Sequence, residues 1–232
     1  MNPLIANLDT ALASGYPEYH AALGPGSPDE DIDELERVFG LPLPPLYRDF
    51  LAWRGPSPDG APVEAGSLIY NQDLMTAREV IDTVTMMREL RAADPSWITS
   101  AWWGEHYLPI LDNHAGDNIC IDMSGEALLK ETRWDEHTRT RLDVEKWTSL
   151  PGQIMDFTHD AEFREIYAPD FASWIEAITS TFTAKPFDTY EETCSGTRYI
   201  GFDEDAEDHI EAALGTCSPG FPRRLEQQFG TD

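Results

Sequence analysis

The sequence predicts an α+β fold, a mostly antiparallel sheet flanked by helices, in one domain with an acidic C-terminal extension. Three observations predict it. Helix signals dominate the first ninety residues, strand and turn signals dominate residues 107–157, and a helical apolar stripe returns at 171–182. Helices, then antiparallel strands, then a closing helix is the order of an α+β chain. The length of 232 residues with 41% apolar content and seven Trp, eight Tyr and ten Phe suffices for one sizeable core.

Residues 1–24 carry a short apolar helix that Gly24-Pro25-Gly26-Ser27-Pro28 ends. Ser27, Pro28 and Glu30 form a capping box, with Ser27 at the N-cap. Ile32, Leu35 and Phe39 then fall on one helical face. Pro42, Pro44 and Pro45 stop that helix, and a second places Leu46, Phe50 and Trp53 on its apolar side, ending at Gly55. A Pro- and Gly-rich loop leads to a short strand over Ser67–Tyr70. Thr76 and Glu79 form a second capping box, opening a helix to about Arg91 whose stripe is Val80, Val84, Met87 and Leu90.

A loop carrying Trp97 precedes the Trp102-Trp103 pair. Tyr107–Ile110 and Asn118–Met123 read as two strands joined by a turn ending Ala115-Gly116-Asp117, where Gly supplies positive φ. Ser124-Gly125 signals a turn, Ala127–Glu131 a strand, and 132–150 gives no clear pattern. Gln153–Phe157 is a strand, followed by a helix with Phe171, Trp174, Ile175, Ile178 and Phe182 on one face. Beyond Pro186 there are 11 acidic residues against three basic ones and a single helix, Asp203–Leu214. This tail reads as an extension that packs along one edge or is partly mobile.

Sixteen basic residues against 43 acidic ones give a net charge of -27. Such a charge repels phosphate backbones and anionic lipid, so direct nucleic-acid or membrane-surface binding is not expected. It either keeps the chain soluble or speeds encounter with a basic partner. Cys120, Cys194 and Cys217 are an odd number without metal-ligand spacing; Cys120 suits a core strand, and Cys194 with Cys217 is an open pairing. The first twenty residues lack a secretory pattern and no stretch is long enough to span a bilayer, so the expected setting is reducing cytoplasm.

Chemical motifs are sparse. No phosphate loop, His-Glu-x-x-His or paired Cys-x-x-Cys occurs, so neither metal nor other cofactor is expected. The run from Asp203 alternates acids like a calcium loop but has Asp208 for the sixth-position Gly and Leu214 for the twelfth-position Glu. His114 with Asp117, and His159 with Asp160, lack an accompanying nucleophile, so turn formation explains both pairs better than catalysis. Adjacent Trp102 and Trp103 cannot both point inward on extended backbone. Trp103, Tyr107 and Tyr70 are therefore the aromatic candidates for a contact surface.

Residues 102–122, read as WWGEHYLPILDNHAGDNICID, resemble the central hairpin of the SUKH superfamily, which unites Smi/Knr-type cell-wall-assembly regulators with bacterial toxin-immunity proteins. Leu108-Pro109-Ile110, Gly116-Asp117 and Ile119–Asp122 carry the likeness. Residues 31–55, 152–160 and 168–175 are similar, in order, to that family's opening helices, following strand and closing helix. Ala115 departs from a common Gly, and the stretch between Asp122 and Gly152 is longer than usual.

The resemblance implies a SUKH-like domain over 28–185 with an insertion near 124–150, between an N-terminal extension at 1–27 and an acidic C-terminal one at 186–232. It implies a non-enzymatic bacterial immunity protein that occludes a basic nuclease or deaminase toxin domain. The alternative it implies is a regulatory protein-interaction scaffold. An enzyme with an unrecognised site and a ligand groove remain open as well. The expected partner-binding residues are Tyr70, Asp73, Trp103, Glu105, Tyr107, Asp112, Asn113, His114 and Asp117. Oligomeric state is not legible in the sequence.

Overall fold

A computed structural model describes residues 1–69, 71–93, 102–125, 128–135, 140–161, 164–184, 189–194, 196–202 and 205–223. Its centre is a five-stranded antiparallel sheet built from β4 (Asp73–Leu74), β5 (Tyr107–Asp112), β6 (Asn118–Asp122), β9 (Gln153–Phe157) and β10 (Ile166–Ala168). The spatial order is β10-β9-β6-β5-β4. β6 is buried along its whole length, which suits its continuous apolar run Ile119-Cys120-Ile121.

Helices cover the sheet. Among the described residues they are α1 (Pro3–Gly15), α2 (Pro17–Ala22), α3 (Asp29–Phe39), α4 (Pro45–Trp53), α5 (Ala77–Ala93), α6 (Phe171–Ala184) and α7 (Asp205–Cys217). α6 buries Phe171, Trp174, Ile175, Ile178 and Phe182, the expected stripe, and Asp170 Oδ1 accepts from the Ser173 amide at 2.8 Å. α3 buries Ile32, Leu35 and Phe39, also as expected. α4 turns Tyr47 and Leu51 inward with Phe50 and Trp53, while Leu46 is only partly covered.

Shorter strands complete the chain: β1 (Gly24–Pro25) with β2 (Arg54–Gly55), and β3 (Val63–Ala65) beside a hairpin of β11 (Thr189–Cys194) and β12 (Thr197–Phe202). Among the described residues β7 (Leu128–Asp135) pairs with β8 (Thr140–Thr148) alone.

Several expectations need correction. Pro28, not Ser27, is the N-cap of α3 and offers no side-chain cap. Buried Ser27 instead accepts the Ala77 amide at 2.8 Å, so it caps α5 from fifty residues away. A serine beside a proline satisfies a local cap rule in sequence, but the orphan amide it serves belongs to a helix that tertiary packing brings near. The capping box at Thr76 and Glu79 forms as expected: the Thr76 amide donates to Glu79 Oε2 at 2.6 Å, and the Glu79 amide to Thr76 Oγ1.

Ser67–Ile69 is not a strand. Leu68 and Ile69 are buried beside a tight turn in which the Leu68 amide donates to the Gln72 carbonyl, and pairing falls to β3 and β4 on either side. Leu90 stands 38% exposed, one turn beyond the last residue of α5 that the core covers. The apolar helix foreseen over 1–24 is two, broken at Pro17. Cys194 and Cys217 are separate exposed thiols.

One hydrophobic core runs through all of this. It takes Ile5, Leu8, Leu12 and Tyr19 from α1 and α2, and Ile200, Ile210 and Leu214 from β12 and α7. A second cluster, Trp103, Tyr107, Cys120, Met155, Phe157 and Ile166, fills the other side of the sheet.

Candidate interaction surface at the end of the central hairpin

The hairpin of β5 and β6 is set by a bulge. Pro109 opposes Cys120 and Leu111 opposes Ile119, leaving Ile110 as the extra residue. Pro109 sits where short β4 no longer reaches, so its missing amide costs the sheet no bond. The groups freed by the bulge find side chains: Tyr47 Oη donates to the Pro109 carbonyl at 2.6 Å, and the Ile119 amide donates to buried Gln72 Oε1 at 2.8 Å. The Leu-Pro-Ile segment is thus a built irregularity that carries β5 on to Asp112.

The turn at 113–117 is held by its own side chains. Asn113 Oδ1 accepts the Ala115 and Asp117 amides at 2.8 and 3.0 Å, and Asn113 Nδ2 donates to Asp117 Oδ2 at 2.7 Å. Asp112 Oδ1 accepts the His114 amide, which supports His114 at φ 57°. Gly116 takes φ 102°, a conformation that L side chains rarely adopt.

Two histidines meet three aspartates here, and neither takes the partner considered from the sequence. His159 binds Asp117 twice, through its amide at 2.8 Å and through Nδ1 at 2.7 Å. His114 Nε2 lies 3.1 Å from Asp73 and its Nδ1 3.5 Å from Asp112. Asp73 and Asp112 are directly opposed across β4 and β5, a like-charge pair that His114 bridges. Burial raises the Asp117 carboxyl, but the amide and ring of His159 with Asn113 outweigh it and hold Asp117 below its ordinary value.

Beneath this end, Arg164 is 4% exposed and donates to the carbonyls of Thr158, Ala161 and Trp102 while lying 4.4 Å over the Phe157 ring. Desolvation lowers its guanidinium pKa and raises that of the neighbouring Asp156 carboxyl, which also accepts from Thr158. Trp102 Nε1 donates to the His159 carbonyl at 2.7 Å, so the 158–161 turn is fastened to the hairpin from both sides.

The structure thus brings together Asp73, Asp112, Asn113, His114 and Asp117, and adds His159 and exposed Asp160, read from sequence only as turn formers. The missing signal was the β9 register, which sets Phe157 beside Asn118 and so delivers the next turn to the same end. Glu105 lies at the opposite end of the hairpin, about 17 Å away at roughly 3.4 Å per residue. There it binds Arg91 at 2.5 Å.

Trp103 and Tyr107 are corrections: they are 1% and 0% exposed, stacked edge-on with each other, and Trp103 also packs on Phe157. Large rings facing the second core cluster stay inside, and it is Trp102 that is half-exposed. Gly104 marks that packing, since a Cβ there would come within 2.4 Å of the Tyr107 ring. Tyr70 lies outside the described residues.

Buried Asp122, at the end of β6, has a different task. Its Oδ1 accepts the Ser124 and Gly125 amides and its Oδ2 accepts Ser149 Oγ, so one carboxylate clasps both ends of the 124–150 segment. An open groove of about 490 Å³ between α1 and α6 is lined by Asn7, Thr10, Ser14, Thr179 and Thr183, with no titratable side chain in its lining. Among the described residues no group of three or more His, Cys, Asp or Glu is placed to hold a metal, and no helix is long and apolar enough to cross a membrane.

No curated protein matches the chain. A family model does: the SMI1 / KNR4 family (SUKH-1), over residues 26–177, which begins just after β1, runs to the middle of α6 and includes the whole central sheet and the acidic turn. Proteins of this family serve in immunity or in SMI1/KNR4-type regulation, and the chain belongs to it.

Proposed function

We propose that this protein is a bacterial immunity protein that acts in the cytoplasm, neutralising a cognate basic toxin domain by covering its substrate-binding face. The observation that carries the reading is the carboxylate-rich end of the central sheet, where Asp73 and Asp112 face each other at the ends of β4 and β5 and Asp117 and Asp160 lie on two turns, the second held from below by Arg164. A rigid acidic edge needs no ordering on binding, so its electrostatic energy appears as affinity. The net charge of -27 adds long-range attraction for a domain that is basic because it grips phosphates. Family membership supports a protein partner.

The test is a charge reversal that spares the turn's internal bonds. Asp73→Lys with Asp160→Lys is expected to slow association with the cognate toxin at least tenfold and to flatten its salt dependence, since rim charges act mainly on the on-rate. Association unchanged in rate and in salt dependence would place the contact elsewhere.

A further inference from the structure

The ribbon of β7 and β8 differs from the rest of the molecule in charge. Residues 128–148 hold five of the sixteen basic residues and five of the 43 acidic ones, leaving eleven against 38 elsewhere. The ribbon therefore sums to zero and the other residues carry the entire -27. Two copies of this chain repel everywhere else, and the ribbon is where they can meet without that penalty. A basic partner finds no such advantage there.

The ribbon is also incomplete as a sheet. Among the described residues β7 and β8 pair with no other strand, and a two-stranded ribbon alone is marginal in water. Its two edges are not equivalent. Lys130 opposes Lys146 and Thr132 opposes Asp143, so two steps on β7 face three on β8. The extra residue lies on β8, whose edge is bent by it, whereas β7 is regular over its eight residues.

We propose that β7 is a self-association edge: two copies join their ribbons into a four-stranded antiparallel sheet about a two-fold axis at Thr132. The sequence Lys130-Glu131-Thr132-Arg133-Trp134 is self-complementary about that residue. Thr132 meets its own copy, Glu131 of each copy opposes Arg133 of the other, and Lys130 of each opposes Trp134 of the other. Thr–Thr, opposite-charge and cation–aromatic pairs are all favourable across strands. Moving the axis one residue either way opposes Glu131 to itself, or Arg133 to itself with Glu131 facing Asp135, so the register is specified. The ribbon leaves the sheet at the Asp122 end, so both acidic turns stay free.

The experiment is sedimentation equilibrium of the full chain across micromolar concentrations, with two variants and their mixture. The parent is expected to dimerise. Glu131→Arg and Arg133→Glu each place like charges opposite one another and are expected to weaken the dimer about tenfold or more. Mixing the two variants restores opposite charges at both pairs, so a heterodimer of near-parent affinity is expected, which damage to the fold could not produce. A parent that is monomeric throughout, single variants that dimerise like the parent, or a mixture that stays monomeric would each overturn the proposal. A monomeric parent would assign the ribbon to a partner of other chemistry.

Discussion

Asp122 and Asp117 look alike in the sequence, each an aspartate beside a strand end, yet they act differently. Asp122 is wholly buried and accepts from two amides and a hydroxyl, so Asp122→Ala removes three hydrogen bonds. Denaturant unfolding is expected to show a loss of about 2–4 kcal/mol, from roughly 0.5–1.5 kcal/mol for each hydrogen bond removed. Asp117 is lowered from its ordinary 3.8 by the outcome of burial against its His159 and Asn113 bonds. A depressed folded-state pKa contributes stability above the unfolded value that is lost as pH falls through the folded one. Unfolding midpoints measured from pH 6 to pH 2 are thus expected to fall on the acid side of about pH 4, with a shallower fall in Asp117→Asn. Trp103→Ala should cost about 3–5 kcal/mol of stability, the usual penalty for a buried aromatic ring. A surface anchor would cost little, so the same unfolding measurement separates the two roles.

Among the elements, the legible ones announced themselves through period or punctuation. α3 and α6 carry their stripes at helical spacing, β6 and β9 are short apolar runs, and Gly116 marks the turn. What stayed hidden depended on partners remote in sequence. Ser27 caps a helix fifty residues on, and the Trp102–Trp103 parity was unreadable because 102–106 is not strand. His159 joined the site only through the register of β9 on β6. Asp112, Asn113, His114 and Asp117 were legible in the hairpin because local turn chemistry places them; Asp73 came from the preceding segment and meets them through the β4–β5 pairing, while Glu105 lies a strand's length away. α1 teaches the same about packing: Ile5, Leu8 and Leu12 are each fully buried. Removing residues 1–15 forfeits about 5–9 kcal/mol of apolar burial, comparable to a whole domain's stability. The truncated chain is expected to lose cooperative unfolding by circular dichroism.

For the whole molecule, charge and architecture point the same way. The family fold supplies a rigid sheet, the sheet presents an acidic turn at one end and a neutral ribbon at the other, and the remaining surface is strongly negative. On the proposed function, long-range attraction selects basic partners and the acidic turn supplies the contact. The most direct measurement is a tagged pull-down from the native cell, with parent and Asp73→Lys/Asp160→Lys baits washed at rising salt. The account predicts one basic protein, toxic when expressed alone, held at about one-to-one by the parent and released at far lower salt from the double variant. Several weakly held partners, or one that both baits retain equally, would contradict it.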